Sequence, residues 1–151
     1  MSAQADVSLP ELQAGARRAL EGLFGDRLRT DPDSRAEWGR DWTRSFTVAA
    51  SAVVFPETEA EVIELVAIAR REGFALVPSG GRTGLSGGAV APAGEVVVSF
   101  DRMQRIHEVD AAGRLLRCEA GAVTRLVQEA AEAAGLFYPV DFASSGSSQI
   151  G

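Results

Sequence analysis

The sequence contains no lysine, one cysteine and one histidine among 151 residues. Each scarcity closes off a class of function. With a single Cys118, neither an internal disulfide nor a cysteine-based zinc site can form. Cys118 sits in an apolar–charged alternation, Leu115-Leu116-Arg117-Cys118, and reads as a small strand residue rather than a reactive thiol. The sole histidine, His107, falls in another strand-like stretch next to a turn. It reads as a solvent-facing residue, so no general base is assigned to it. All cationic side chains are arginine, and acidic residues outnumber them to leave a net charge of −6. That balance argues against nonspecific nucleic-acid binding, which needs clustered positive charge. No apolar run is long enough to cross a bilayer. Residues Met1 to Glu11 carry acidic side chains and no basic–apolar–small pattern, so neither a secretory signal nor a transit peptide is expected. A reducing cytoplasm fits these features.

What is present is an ordinary balance for one globular domain, 46% hydrophobic and 24% charged. Residues 8–24 read as a helix, with Ser8 as N-cap, Pro10 and Glu11 in the first turn, and Gly25 as the stop. Leu12, Ala16, Ala19, Leu20 and Leu23 form its apolar face. Trp38 and Trp42 are spaced to share one side of a short helical turn. Ala52 to Phe55 is a short strand closed by Pro56. Thr58 to Glu61 has the form of a capping box, and Val62, Leu65, Val66 and Ala69 follow with helical spacing up to Gly73. Phe74 to Pro78 returns to strand. Residues 52–78 thus read as a βαβ unit with a parallel pair of strands. Glu95 to Phe100 is a further strand. Arg105 to Val109 and Arg114 to Glu119 flank Asp110-Ala111-Ala112-Gly113 as a hairpin. Thr124 is placed to cap a helix running to Ala134, with Val127, Ala130, Ala131 and Ala134 on its buried face.

Two loops carry the chemistry. The first, Ser79 to Gly88, places five glycines in nine residues directly after a strand. Glycines admit positive φ and close approach, so successive amides can converge on an anion. Ser79, Thr83 and Ser86 add hydroxyls and Arg82 adds charge. No Gly-Lys-Ser/Thr closes the loop, so it is not a Walker A sequence. No helix follows it, so it is not a Rossmann fingerprint either. A diphosphate suits such a long cradle; a mobile surface loop is the competing reading. The second loop, Pro139 to Gly151, holds four serines and two further glycines and ends in Ile150-Gly151. It reads as a tightly bending hydroxyl-rich loop or as a disordered tail.

Taken together, three motifs resemble the FAD-binding domain of the vanillyl-alcohol oxidase or p-cresol methylhydroxylase (PCMH) type. The similarity is strongest to the branch of FAD-linked D-2-hydroxy-acid dehydrogenases that act on 2-hydroxyglutarate, lactate or glycolate. The motifs are Pro56-x-Thr58-x-x-Glu61-Val62, then Pro78-x-Gly80-Gly81-x-Thr83-Gly84-Leu85-x-Gly87-Gly88, and Pro139-x-Asp141-x-x-x-x-Gly146-Ser147-x-x-Ile150-Gly151. The pair Asp41-Trp42 after Thr30-Asp31-Pro32 also resembles that branch. The resemblance covers residues 20–151. It implies an α+β fold of two α/β subdomains with mixed sheets and FAD between them. It also implies a truncated domain, with a helical lead-in over 1–44 and the N-terminal part of the FAD domain over 45–151.

By the same resemblance, Pro78, Ser79, Gly80, Gly81, Arg82 and Thr83 wrap the FAD diphosphate, and Gly84, Leu85 and Ser86 continue towards the flavin. Pro139, Asp141, Ser145, Gly146, Ser147, Ile150 and Gly151 line the cofactor, with Gly121 running beside it. The implied reaction is oxidation of a D-2-hydroxy acid with hydride transfer to flavin N5, the substrate-binding and catalytic parts lying in a full-length parent. Arg82 departs from the Gly or Asn usual in the family. It adds charge beside the diphosphate if it points inward and little if it points outward. No histidine stands in the loop to attach FAD covalently, so dissociable FAD is expected. No catalytic residue and no metal ligand is assigned in this chain, and the electron acceptor is left open. Two alternatives stay open: a non-enzymatic fragment with weak or no FAD binding, and a flavin oxidase of alcohols or sugars.

Overall fold

A computed structural model describes residues 10–151. The expected N-cap Ser8 lies outside them. The first helix, α1 (Ala14–Phe24), begins later than the sequence pattern suggests: Pro10 and Glu11 precede it, and Gln13 occupies the N-cap position with extended backbone (φ −58°, ψ 147°). Gly25 then takes φ 54° and ends the helix, as its position implies. A single 3₁₀ turn (Gly25–Arg27) leads into a two-residue strand β1 (Leu28–Arg29). Helix α2 (Pro32–Trp38) follows, its N-cap Asp31 accepting the amide of Ser34. Trp42 lies beyond Gly39, outside this helix, and is 72% exposed while Trp38 is partly buried. The two tryptophans therefore do not share a helical side. The chain leaves the helix at Gly39, where a Cβ would stand 2.7 Å from the carbonyl oxygen of Arg35.

Strand β2 (Ala52–Val54), helix α3 (Glu59–Glu72) and strand β3 (Leu76–Ser79) match the βαβ pattern in order. Thr58 Oγ1 accepts the amide of Glu61, and Gly73 closes α3 in the left-handed region (φ 75°). The reciprocal half of the capping box is displaced by one residue. Glu61 accepts from the amide of Glu57 and grips Arg27, with Nη1 at 2.7 Å and Nη2 at 2.6 Å.

The expected β2–β3 pair does not form. Strand β4 (Val96–Ser99) enters between them, giving the order β1-β2-β4-β3, parallel except for β1. Val96, Val97 and Val98 are buried on both faces, and a continuous β-branched run of this kind belongs at the centre of a parallel sheet. Alternation divides the core. Ala52, Val54, Val96 and Val98 meet Leu20, Phe24, Leu65 and Ile68 of α1 and α3. Val53 and Val97 meet Ala50, Phe55, Ala91 and Trp38 on the opposite face. Complete burial of a side chain such as Leu65 contributes about 1.5–3 kcal/mol. The residues before β2 are thus part of this core.

A second sheet pairs β5 (Ile106–Asp110) with β6 (Leu115–Cys118) antiparallel. Asp110 Oδ1 accepts the amide of Gly113 at 2.9 Å within the connecting turn. Only the first sheet is mixed. Helix α4 (Thr124–Ala133) packs beside β5 and buries Val127 and Ala131. Thr124 is its first helical residue rather than its cap; Val123 holds the cap position. The hydroxyl of Thr124 is instead within 2.7 Å of Ser148 Oγ. No helix among the described residues is long and apolar enough to cross a membrane.

Candidate functional site at the junction of two loops

Strand β3 ends at Ser79, buried in the sheet, and delivers the glycine-rich loop at its C-terminal edge. The hydroxyl of Ser79 is already committed, donating to the carbonyl of Trp38 at 3.1 Å. The loop is braced from the lead-in. Trp42 N–H donates to the carbonyl of Gly84 at 3.2 Å, and the buried carboxylate of Asp41 accepts the amide of Gly87 at 3.0 Å. Gly87 adopts φ 79°, a conformation that disfavours side chains, with the ring of Phe46 packed against it. The loop is therefore a held structure and not a floppy connection.

The second loop is equally held. Ser148 O accepts the amide of Thr124, Ser145 O that of Arg125, Ala122 O that of Ile150 and Ala120 O that of Gly151. These bonds lay residues 145–151 along the segment that enters α4. They also bring the two loops together. A Cβ on Gly80 would stand 2.7 Å from the carbonyl oxygen of Gly151, and one on Gly81 would overlap the carbonyl of Ser147. Gly121 is needed for a similar reason, since a side chain there would collide with the carbonyl of Phe100. Its amide is taken by Met103 O at 2.7 Å.

Between these fixed points, the amides of Gly81, Arg82, Thr83, Gly84, Leu85 and Ser86 donate to no acceptor among the described residues. A Cβ on Gly84 would meet nothing within 4 Å. A run of unspent amides on a braced backbone, with open space beside it, has the chemistry of an anion cradle. The residues present thus fit a cofactor diphosphate. The hydroxyls of Thr83 and Ser86 likewise form no hydrogen bond among the described residues.

Arg82 stands in the left-handed region (φ 56°), unusual for a residue with a side chain. Its Nη1 donates to the carbonyl of Gly80 at 3.1 Å and lies 3.5 Å from Asp101 Oδ2, and its guanidinium covers the ring of Trp38 at 5.5 Å. The charge is directed at Asp101. Burial raises the Asp101 carboxyl, but hydrogen bonds from Trp38 and Gln149 and the charge of Arg82 prevail and hold it below its ordinary value.

Of the residues expected to line the cofactor, Gly80, Gly81, Ser147 and Gly151 meet directly. Arg82 reaches the second loop through Asp101 and Gln149. Ser145 is buried beneath the loop, and Gly146 faces the guanidinium of Arg125. Pro139 and Asp141 lie on an exposed stretch that Gln128 pins by donating to the carbonyl of Val140, and neither hydrogen-bonds to the glycine loop. Leu85 is 67% exposed and Ile150 43%. Asp41, which the sequence resemblance had singled out together with Trp42, braces the loop, and Trp38, Asp101 and Gln149 join the site although no motif marked them for it.

A cavity of about 160 Å³, lined by Glu37, Arg40, Asp41, Trp42, Arg44, Gly81 and Arg82, adjoins the loop. A larger, mostly apolar one of about 550 Å³ lies between the β5–β6 hairpin and α4, remote from the glycine loop except through Ile150. The glycine loop has the better chemistry for a phosphate, since that larger cavity is walled by Leu115, Leu116, Val127 and Phe137.

Residues 50–151 match the family described as the FAD binding domain. The chain belongs to this family. Its cofactor is FAD. This FAD-binding domain is 54% identical over 125 residues to D-2-hydroxyglutarate dehydrogenase of Stutzerimonas stutzeri, covering 83% of this chain and 27% of that protein. It is 46% identical over 125 residues to the enzyme of the same name from Xanthomonas citri pv. viticola, covering 83% and 26%. The chain thus spans about a quarter of the length of these curated relatives. Among solved structures, it superimposes on alkyldihydroxyacetonephosphate synthase with a TM-score of 0.84 at 20% identity, covering 98% of this chain and 30% of that one. It superimposes on p-cresol methylhydroxylase with a TM-score of 0.72 at 19% identity, covering 91% and 29%. These likenesses establish the PCMH-type fold.

Proposed function

We propose that this chain is the FAD-binding part of a flavin-dependent dehydrogenase that oxidises a D-2-hydroxy acid of the 2-hydroxyglutarate, lactate or glycolate type. The observation that carries the reading is the run of unspent amides at Gly81–Ser86, braced by Asp41 and Trp42 and walled by Ser147–Gly151. In this reading the amides hold the diphosphate, while Gly84 leaves room for it. Residues 145–151 line the far side, and Pro139, Asp141 and Gly121 frame the approach. The boundary of the FAD module is set at residue 45, with 1–44 as a lead-in that supplies the braces. When bound, the flavin supplies a two-electron acceptor at N5 for the Cα hydride of the hydroxy acid. The chain's own residues bind and orient it; the substrate-contacting groups belong to the rest of the protein. The names of the similar D-2-hydroxyglutarate dehydrogenases support that substrate class.

No histidine stands between Ser79 and Gly88 to carry a covalent link to the flavin, and in this reading the FAD is dissociable. The binding test is titration of the purified chain with FAD, followed by quenching of flavin fluorescence and acid release of intact FAD. Saturable binding with full release supports the reading, and no uptake at millimolar FAD contradicts it. The substrate test compares D-2-hydroxyglutarate, D-lactate and glycolate as reductants of the complete flavoprotein with a dye acceptor. Reduction by an alcohol or sugar and by none of these acids would favour the oxidase reading instead.

A second reading concerns the chain by itself. Phe137 is 85% exposed, Leu115 67% and Ile150 43%, around the larger apolar cavity. Such a surface favours self-association of the isolated chain. Sedimentation with and without FAD distinguishes a soluble FAD-loaded monomer from an aggregating fragment.

A further inference from the structure

Side chains from three distant segments meet at one carboxylate. Asp101 lies two residues beyond β4, where its amide donates to Ser99 Oγ at 3.3 Å and orients the residue. Its Oδ2 accepts the indole N–H of Trp38 at 2.8 Å, from the end of α2. Its Oδ1 accepts Nε2 of Gln149 at 2.9 Å, from the second loop. Arg82, from the glycine loop, brings its charge to 3.5 Å of Oδ2 while covering Trp38.

Two neutral N–H donors and one guanidinium require two acceptor oxygens and a negative charge. A carboxylate provides both; an amide provides one oxygen and presents N–H to the other donor. The orientation of Gln149 follows, because turning its amide would set oxygen against the carboxylate. Its Oε1 is left buried, 3.4 Å from where a Cβ of Gly80 would stand, with no donor among the described residues. The arrangement tolerates that cost to keep Nε2 on Asp101. The charge of Arg82 is likewise spent within the protein.

We propose that Asp101 is a positioning residue: through Arg82 and Gln149 it fixes the glycine loop against the second loop, and so sets the spacing of the two walls of the FAD site. Its bearing on FAD rests on the reading given above. The coupling of the loops does not, and both can be measured on the same chain.

The test uses Asp101→Asn and Asp101→Glu in the 151-residue chain. In ¹⁵N–¹H spectra without FAD, Asp101→Asn shifts the Trp38 indole N–H together with the amides of Gly80, Gly81, Gln149 and Gly151. With FAD, Asp101→Asn weakens binding by about tenfold, in keeping with a wall of the site left to drift, and Asp101→Glu recovers part of the loss. A residue serving stability alone would lower the melting temperature and leave those peaks and the affinity in place, which would overturn the inference. Tighter FAD binding by Asp101→Asn would overturn it too, because it would mean that Asp101 withholds Arg82 from the diphosphate. If the unaltered chain takes up no FAD, the FAD reading fails, while the ligand-free spectra still decide whether Asp101 couples the loops.

Discussion

Gly81 and Ser147 approach so closely that a single methyl group on Gly81 would overlap the carbonyl oxygen of Ser147. The contact joins backbone to backbone, 66 residues apart in sequence, and nothing flexible is available to give way. The glycine loop is therefore shaped first by the loop it rests on and only then by a ligand.

This division separates two substitutions that look alike in sequence. Gly81→Ala forces the loops apart, costs roughly 1–3 kcal/mol of stability by overpacking and abolishes measurable FAD binding. Gly84→Ala meets open space, at a position whose φ is not positive, and leaves stability within about 0.5 kcal/mol. It still weakens FAD binding, because its methyl occupies the side on which a phosphate would approach. Denaturant unfolding and FAD titration of both variants check the contrast.

The ion pair of Arg27 and Glu61 gives the stability a defined acid limb. The hydrogen bond from Arg27 lowers the Glu61 carboxyl from its ordinary value near 4.5 to about 2, against the opposing effect of burial. A carboxyl depressed in the folded state contributes stability that is complete above its unfolded value and is lost as pH falls towards the folded one. Stability should therefore decline between about pH 4.5 and pH 2, and Glu61→Gln should flatten that part of the profile. At neutral pH the same substitution costs about 2 kcal/mol, the scale of a hydrogen bond to a charged group. Urea unfolding across the acid range measures both.

Thr124 and Ser148 form a buried hydroxyl pair that ties the second loop to the start of α4. Thr124→Val keeps the shape and removes the hydroxyl, leaving Ser148 Oγ without this partner. The expected cost is about 1–3 kcal/mol, with faster amide exchange at Ile150 and Gly151. Hydrogen exchange followed by NMR resolves the local effect from the global one.

Cys118 is half-buried on β6, and burial pushes its thiol above the ordinary cysteine value. It should react with iodoacetamide at pH 8 more slowly than a free cysteine in an unstructured peptide, and at the free rate once the chain is unfolded. Mass spectrometry of timed samples reads the two rates.

How much of this was legible beforehand differs from element to element. The Thr58 cap, the Gly73 stop, the Val96–Val98 strand and the Asp110–Gly113 turn were legible because each is governed by residues within a few positions. The insertion of β4 between β2 and β3 was not, since strand order is decided by which run is buried on both faces, a comparison across the whole chain. The glycine loop announced itself by composition, yet the work of Gly80 and Gly81 could not be read there, because their partners stand near the other end of the sequence. Asp101 and Gln149 carried no signal at all. Single polar residues have no periodicity, and only the fold shows that they meet. Thr124 was misplaced by one residue because its hydroxyl had a better partner in Ser148 than in its own helix.

The most direct test of the account is an FAD titration of the ¹⁵N-labelled chain, read residue by residue. Cradling of the diphosphate predicts that the amides of Gly81 to Ser86 shift together and saturate, accompanied by Ser147 to Gly151, while those of α3 stay in place. Saturable binding with the largest shifts elsewhere, around Leu115, Phe137 and the apolar cavity, would contradict it, as would no shift in the glycine loop at saturating FAD.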